Sequence, residues 1–287
     1  MAARRFCAVD GARLSNALEY ESMKIISCMK PVPDPASRLI INETKTWIKD
    51  QDLTFVASEA DNYALEEALR LKEKHGGEVV VISMGGEEAA RVLRSGLAMG
   101  ADRAIHLLDP KFKGADEFAA ASTLAKAIEK DGGADLVLAG VQSDDLGTGM
   151  TGTMMAELLG WAHATVVVGV EANPDGKSVK VRRELEGGIN ETVESPMPAV
   201  LTIQFGINQP RYASLKGIMA AKKKEFKAWS AADLGLSDAA VGKAGAMYEV
   251  KEIFIPEKKS KVEILSGTPE EAAAALIEKL RKEAKVL

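Results

Sequence analysis

The sequence predicts an α/β fold: a mostly parallel, doubly wound sheet with an antiparallel ribbon and a C-terminal arm. Three observations predict it. Short, continuous apolar runs of strand length alternate with amphipathic helical stretches between about residues 61 and 160. Glycine pairs, Gly76-Gly77 and Gly132-Gly133, close two of those helices. After Gly160 the apolar period shortens to two, as a ribbon exposed on one face requires. Continuous apolar strands between amphipathic helices mean a sheet covered on both faces.

Taken in order, residues 1–22 carry Arg4, Arg5 and Arg13, interrupted by Asp10, Glu19 and Glu21, with no apolar stretch behind them. They are expected to be a non-core extension, neither secretory signal nor transit peptide, and Met23 is a candidate start codon. Residues 24–29 form a β-prone run closed by Pro31, Pro33 and Pro35, so the first strand is expected to end in a loop. Residues 38–53 read as an irregular or hairpin insertion around the turn-prone Asn42-Glu43. A helix follows over 61–74, capped by Asp61 and striped by Ala64, Leu65, Ala68, Leu69 and Leu71. His75 then complements the carbonyls of its end.

The alternation continues with strand 78–83, helix 87–99, strand 104–108, helix 116–130, strand 136–139 and a helix through 154–160. Beyond it come ribbon strands over 164–170 and 178–185 around a turn at Asn173-Pro174-Asp175-Gly176, a strand over 189–193, and a return strand over 199–205. Lys222-Lys223-Lys224 reads as a solvated helix end or as a patch steering an acidic partner. A last helix over 268–284 has too short an apolar stripe to stand alone and is expected to pack on another surface. The expected division is 1–22 extension, 23–227 α/β nucleotide-binding domain and 228–287 arm.

Composition narrows the function. With 37 basic against 42 acidic side chains and a net charge of -5, no overall positive field exists to hold nucleic acid. Cys7 and Cys28, with no CxxC, build neither a disulfide framework nor a zinc site, and a reducing, cytoplasmic compartment is expected. His75, His106 and His163 stand outside any ligand pattern, so no metal is expected. No apolar run approaches the roughly 18 residues of a membrane span.

A parallel sheet binds ligands beyond the carboxyl ends of its strands, where the strand order reverses. The loops to watch follow Met29, Ser83 and Ala139. The last contains Gly140, Gly147, Gly149 and Gly152 with Thr148 and Thr151 before a helix. Two readings stay open for it: a phosphate cradle of backbone N–H groups at a helix start, or a tight strand-to-helix turn. The loop over 83–87 faintly resembles the SGGxDS loop of ATP pyrophosphatases but lacks its Asp and second Ser. Glu87 and Glu88 there suit a helix start and repel a phosphate.

The runs VRRELEGGINE (181–191), PAVLT (198–202) and NQPRYASLKGIMAAKKK (208–224) closely resemble the signature of the electron-transfer flavoprotein β-subunit. The likeness extends back through MKPVPD (29–34), ALEEALRLK (64–72) and AMGADR (98–103), covering about residues 23–236. The resemblance implies an adenine-nucleotide-hydrolase-like domain paired with an α-subunit that holds most of an FAD site. It implies an electron carrier between flavin dehydrogenases and a quinone-linked oxidoreductase, with no bond-breaking site of its own, or a bifurcating activity within a complex. It also implies AMP, or a second FAD, bound in this chain. The matching cofactor-binding positions are Cys28, then Ser58, Glu59, Ala60 and Asp61, then Met84. They continue through Gly140, Val141, Gln142, Ser143, Asp144, Asp145, Leu146, Gly147, Thr148, Gly149, Met150, Thr151 and Gly152.

The commoner family loop reads much like GKQAIDGDTAQVG; here Val141 replaces a basic residue and residues 146–150 replace the centre at unchanged length. By the same resemblance Pro210, Arg211, Tyr212, Leu215, Ile218 and Met219 dock a partner dehydrogenase, with Leu215 as anchor. Read without it, Leu215 covers the domain's own core. Glu184 matches the glutamate that contacts the mobile flavin domain, and the arm wraps the partner subunit. The competing readings are a nucleotide-binding enzyme of the ATP-pyrophosphatase class and a stand-alone nucleotide-sensing module.

Overall fold

The computed structural model describes residues 23–50, 53–173, 177–257 and 262–287. The extension expected at 1–22 and the turn tip Pro174-Asp175-Gly176 lie outside the described residues. The chain divides into two compact units, residues 23–39 with 50–249 and residues 40–49 with 250–287.

The first unit opens with β1 (Lys24–Cys28), whose Ile25 and Ile26 are both fully buried. The proline-rich segment behind it is not a loop. Here β2 (Pro31–Pro33) pairs antiparallel with β3 (Phe55–Ala57) and buries Val32; proline fits because a two-stranded ladder leaves edge positions that need no N–H donor. Next come α1 (Glu59–His75), β4 (Glu78–Met84), α2 (Glu87–Met99), β5 (Arg103–Leu107), α3 (Glu117–Lys130), β6 (Leu136–Gly140) and α4 (Thr151–Leu159). The ribbon follows as β7 (Ala162–Ala172), β8 (Ser178–Glu184) and β9 (Asn190–Pro196), then β10 (Ala199–Ile203), α5 (Leu215–Ala221), β11 (Glu225–Trp229) and α6 (Gly242–Gly245).

Among the described residues the main sheet has nine strands in the order β11-β5-β4-β1-β6-β10-β7-β8-β9. Pairing is parallel from β11 to β7 and antiparallel across β7, β8 and β9. The order therefore reverses at β1, with β4 on one side and β6 on the other. Because side chains alternate along a strand, Ile25, Val79 and Val81 pack with α1 and α2, while Ile26, Val80 and Ile82 pack with α3 and α4. This is the doubly wound α/β sheet that the alternating pattern predicts.

Three boundaries move. Helix α1 begins at Glu59 with Ser58 at its cap position, and Asp61 lies inside the first turn with its carboxylate turned to other strands. Helix α4 begins at Thr151, which brings Gly152 into its first turn. The predicted break at position 227 falls inside β11, and Ala231, Leu234 and Val241 join the core, so this unit runs to Glu249. An exposed edge strand alternating Glu225 and Lys227 lacks the apolar run that marks the central strands. Lys224 is not a solvated end: its Nζ donates to the Leu97 and Ala101 carbonyls at 2.9 and 2.5 Å, closing the carboxyl end of α2.

In the second unit Ile41 bridges Ile48 around Asn42, whose N–H donates to the Trp47 carbonyl at 2.8 Å, a hairpin as expected. Ile253 N–H donates to the Lys45 carbonyl at 2.7 Å. Helix α7 (Pro269–Lys279) starts with a capping box between Thr268 and Glu271, and a π-helical turn, Leu280–Ala284, extends it. Phe254, Ile255, Val262 and Ile264 are exposed. Among the described residues no helix is long and apolar enough to cross a membrane.

Candidate functional site

The carboxyl ends of β1, β4 and β6 and the start of α3 enclose a cleft of about 200 Å³ at the point where the strand order reverses. Cys28, Ile82, Met84, Leu124 and Ala139 give it apolar walls. The Cys28 thiol is pushed far up by burial and by the neighbouring Asp61 charge, so it sits there as a small apolar group and not as a thiolate.

Asp61 holds the junction. Its Oδ2 accepts the Lys30 N–H at 2.7 Å and its Oδ1 accepts the Gly140 N–H at 2.9 Å, joining α1 to the segments leaving β1 and β6. Burial raises its carboxyl to about 7 against the lowering effect of those two donors. Gly140 is required by contact: a Cβ there would stand 2.7 Å from the Ala60 Cβ and from Asp61 Oδ1.

Beyond Gly140 the loop folds over the cleft with Gly147 and Gly149 at φ +63° and +65°, conformations that favour glycine. Val141, Gln142, Ser143, Leu146, Thr148, Gly149, Met150, Thr151 and Gly152 line the cleft with Cys28, Asp61, Met84 and Gly140. The other predicted positions support that wall from behind. Asp144 Oδ2 accepts the Glu59 N–H at 2.7 Å and the Asp144 N–H donates to Ser58 Oγ at 3.3 Å. Gly147 N–H closes a turn on the Ser143 carbonyl, and Ala60 packs under Gly140. Asp145 Oδ1 takes the Lys30 ammonium at 2.7 Å. Burial acts to raise the Asp145 carboxyl, and the Lys30 charge with the surrounding hydrogen bonds outweighs it and holds the group low.

Lys30, Ser83 and the first turn of α3, with Ala115, Asp116, Glu117 and Ala120, also line the cleft and were missed from sequence. The readable signal was topological: α3 starts at the same carboxyl edge as the three watched loops. Two of these residues bring buried polar atoms without any partner, Ser83 Oγ and Glu117 Oε1. The glycine turn after Ser83 is closed to phosphate, since Glu88 Oε1 accepts the Gly86 N–H at 2.7 Å. His106 Nε2 lies 2.8 Å from the Gly85 carbonyl, a structural contact that holds the same turn.

The predicted docking residues lie apart from the cleft, on the segment after β10 and on α5. Tyr212, Leu215 and Met219 are 97%, 78% and 62% exposed, which excludes a core-covering role for Leu215. Ser214 caps α5 by accepting the Gly217 N–H at 3.0 Å. Arg211 is not free to dock. Its guanidinium turns back onto α1, gripping Glu66 at 2.8 and 3.0 Å and Glu73 at 2.6 Å, and Asn208 adds a bond to Glu67. Pro210 directly precedes this clamp in the chain, whereas Ile218 lies on α5 and lines a separate cleft with Arg94, Ala98 and Phe226. Glu184 ends β8, exposed, where its Oε2 accepts from Gln204 at 3.2 Å.

The electron transfer flavoprotein domain family matches residues 46–234. Electron transfer flavoprotein subunit beta of Methylophilus methylotrophus is 40% identical over 258 residues, covering 89% of this chain and 97% of the relative. The protein of the same name from Bacillus subtilis is 36% identical over 268 residues, 92% and 100% of the two chains. The caffeyl-CoA reductase-Etf complex subunit CarD of Acetobacterium woodii is 37% identical over 262 residues, 91% and 98%.

Proposed function

This chain belongs to the electron transfer flavoprotein β-subunit family, and on that premise we propose that it pairs with an α-subunit to carry electrons from flavin dehydrogenases to a quinone-linked acceptor. The flavin, held mostly by the α-subunit, supplies the redox chemistry when bound. This chain contributes an adenylate site, a docking surface and an arm. The adenylate is AMP or the AMP half of a second FAD.

The observation that carries the reading is the cleft at the strand-order reversal, where a glycine loop meets apolar walls. Its volume falls below the roughly 300–1,000 Å³ of pockets that enclose whole drug-sized ligands. It suits a base and its sugar, with the phosphate lying along residues 147–152 at the start of α4. Lys30 supplies the cation nearest that loop. The residues of this chain bind and orient; none is asked to break a bond. Tyr212, Leu215, Ile218 and Met219 form the dehydrogenase-docking surface, with Arg211 holding their loop. The arm's exposed Phe254, Ile255 and Ile264 cover the α-subunit, and Glu184 faces the flavin-bearing domain.

The test is a denatured extract of the co-purified heterodimer, separated by chromatography. Support is flavin together with either one AMP or a second FAD per heterodimer, two FAD marking a bifurcating carrier. A complex without flavin absorbance overturns the carrier role. One FAD and no AMP overturns the adenylate site.

A further inference from the structure

A second cleft, of about 650 Å³, opens between α2 and α5. Leu97, Ala98, Ile218 and Phe226 give it an apolar lining. Arg94, Lys222 and Lys224 line it with them, and no carboxylate does. Its walls are fixed against each other. A Cβ on Gly217 would stand 2.3 Å from the Ala98 carbonyl oxygen, so α5 rests on α2 with no side chain between them at that point. The bonds from Lys224 to the Leu97 and Ala101 carbonyls hold the segment after α5 on the end of α2. The cleft is therefore preformed.

Lys224 is committed to those carbonyls, whereas the other two cations are free. The Arg94 guanidinium carbon lies 5.6 Å from the centre of the Phe226 ring, and that ring packs edge to face on His106. Stacking on a held ring restricts the plane of the fork. Among the described residues, however, no acceptor meets its N–H groups, and neither Arg94 nor Lys222 has an ion-pair partner. In a chain of net charge -5, a preformed apolar cleft with two unpaired cations and no acid complements a carboxylate with apolar neighbours.

This cleft adjoins the exposed docking face, because Ile218 lines it and belongs to the same short helix as Leu215 and Met219. A single protruding leucine fixes a position but leaves rotation about it free, and a second contact sets orientation. Resting on the docking reading above, we propose that the cleft receives a carboxylate-bearing, apolar-flanked segment of the flavin dehydrogenase, its acid pairing with Arg94 and Lys222 as Leu215 enters the dehydrogenase. The contact is reciprocal, each partner inserting a side chain into the other. A planar guanidinium takes a carboxylate through two parallel N–H bonds, the apolar lining keeps water from the pair, and the local positive charge steers the encounter.

The test is stopped-flow reduction of the purified heterodimer, across ionic strength, by a flavin dehydrogenase isolated from the source cells through its ability to reduce the wild type. Arg94→Glu and Lys222→Glu each lower the second-order rate constant at low salt by at least about tenfold and weaken its dependence on salt. The limiting rate at saturation, the flavin content and the melting temperature stay unchanged. Arg94→Gln, which removes the charge without reversing it, shows part of the loss. Lys223→Glu, the same charge change one residue outside the cleft, slows reduction by a much smaller factor. Equal slowing by Lys223→Glu overturns the cleft in favour of the general surface field. A wild-type rate in either Arg94→Glu or Lys222→Glu overturns it while leaving the Leu215 anchor to its own test. Loss of pairing with the α-subunit in these variants assigns the cleft to that subunit, and self-association of the wild type that either substitution abolishes assigns it to a second copy; both results overturn the proposal. A wild type that no flavin dehydrogenase reduces overturns the docking reading itself, and the cleft's role with it.

Discussion

Asp61 accepts the backbone N–H of Gly140 at 2.9 Å, so a side chain from the first turn of α1 fixes the carboxyl end of β6 at the mouth of the cleft. Buried and raised to about 7 from an ordinary 3.8, the Asp61 carboxyl holds its proton more tightly folded than unfolded. Its contribution to stability is therefore complete below about pH 4 and is lost as pH rises through about 7. Unfolding free energy measured by denaturant between pH 4 and 8 is expected to fall for the wild type relative to Asp61→Asn, by an amount of order 3 kcal/mol across the window. A difference independent of pH refutes the burial-driven shift.

Gly152 at the start of α4 packs directly against Thr202 of β10. A Cβ at Gly152 would stand 2.6 Å from Thr202 Cγ2, and Thr202 is pinned because its Oγ1 accepts the Val166 N–H at 3.3 Å. Gly152→Ala is expected to cost about 1–3 kcal/mol of overpacking, offset in part by the better helix propensity of alanine. Thr202→Ser removes the offending methyl and keeps the hydroxyl. In a double-mutant cycle of denaturation midpoints, the pair is expected to be less destabilised than the sum of the singles by about 1 kcal/mol or more; strict additivity would show that the contact does not limit the site.

Arg211 and Glu66 hold the docking loop on α1. The Glu66 side chain is only 4% exposed; burial acts to raise its carboxyl, and the bonds from Arg211 and Arg70 outweigh this and hold it low. Arg211→Ala leaves that buried charge with Arg70 alone and is expected to destabilise the protein by about 2–4 kcal/mol. Arg211→Lys recovers less than half of the loss, because an ammonium cannot serve Glu66 and Glu73 with a planar fork. Full recovery by lysine in chemical denaturation would reduce the clamp to simple charge neutralisation.

The fold was legible where local pattern and burial agree. Strands such as Glu78–Met84 are apolar on both faces, and a covered parallel sheet is what such runs build. Edges were not: β11 carries charge because it is an edge, and the pairing of β2 with β3 depends on a partner more than 20 positions away. The site was half legible. Glycines 140, 147, 149 and 152 announce a loop that needs backbone freedom and close approach. Lys30 and the residues that open α3 announce nothing locally, because only the folded sheet brings them to the same carboxyl edge. Asp61 looked like a helix cap since that is what an aspartate before an apolar stripe usually does, and only the folded chain brings the Lys30 and Gly140 amides to it.

Leu215 begins α5 with 78% of its surface exposed, and a large apolar side chain so placed gains nothing for its own fold. Leu215→Ala is therefore expected to shift the denaturation midpoint by less than the equivalent of about 0.5 kcal/mol and to leave flavin content unchanged. If the side chain enters a pocket on a dehydrogenase, its loss removes the anchor of the contact, and an anchor is worth about 2 kcal/mol or more. The rate at which a dehydrogenase reduces the heterodimer, at concentrations well below saturation, is then expected to fall at least about tenfold. Met219→Ala, at 62% exposure one turn further along α5, is expected to reduce the same rate by a smaller factor, because it flanks the anchor. Wild-type rates for Leu215→Ala would move the docking surface elsewhere on the chain.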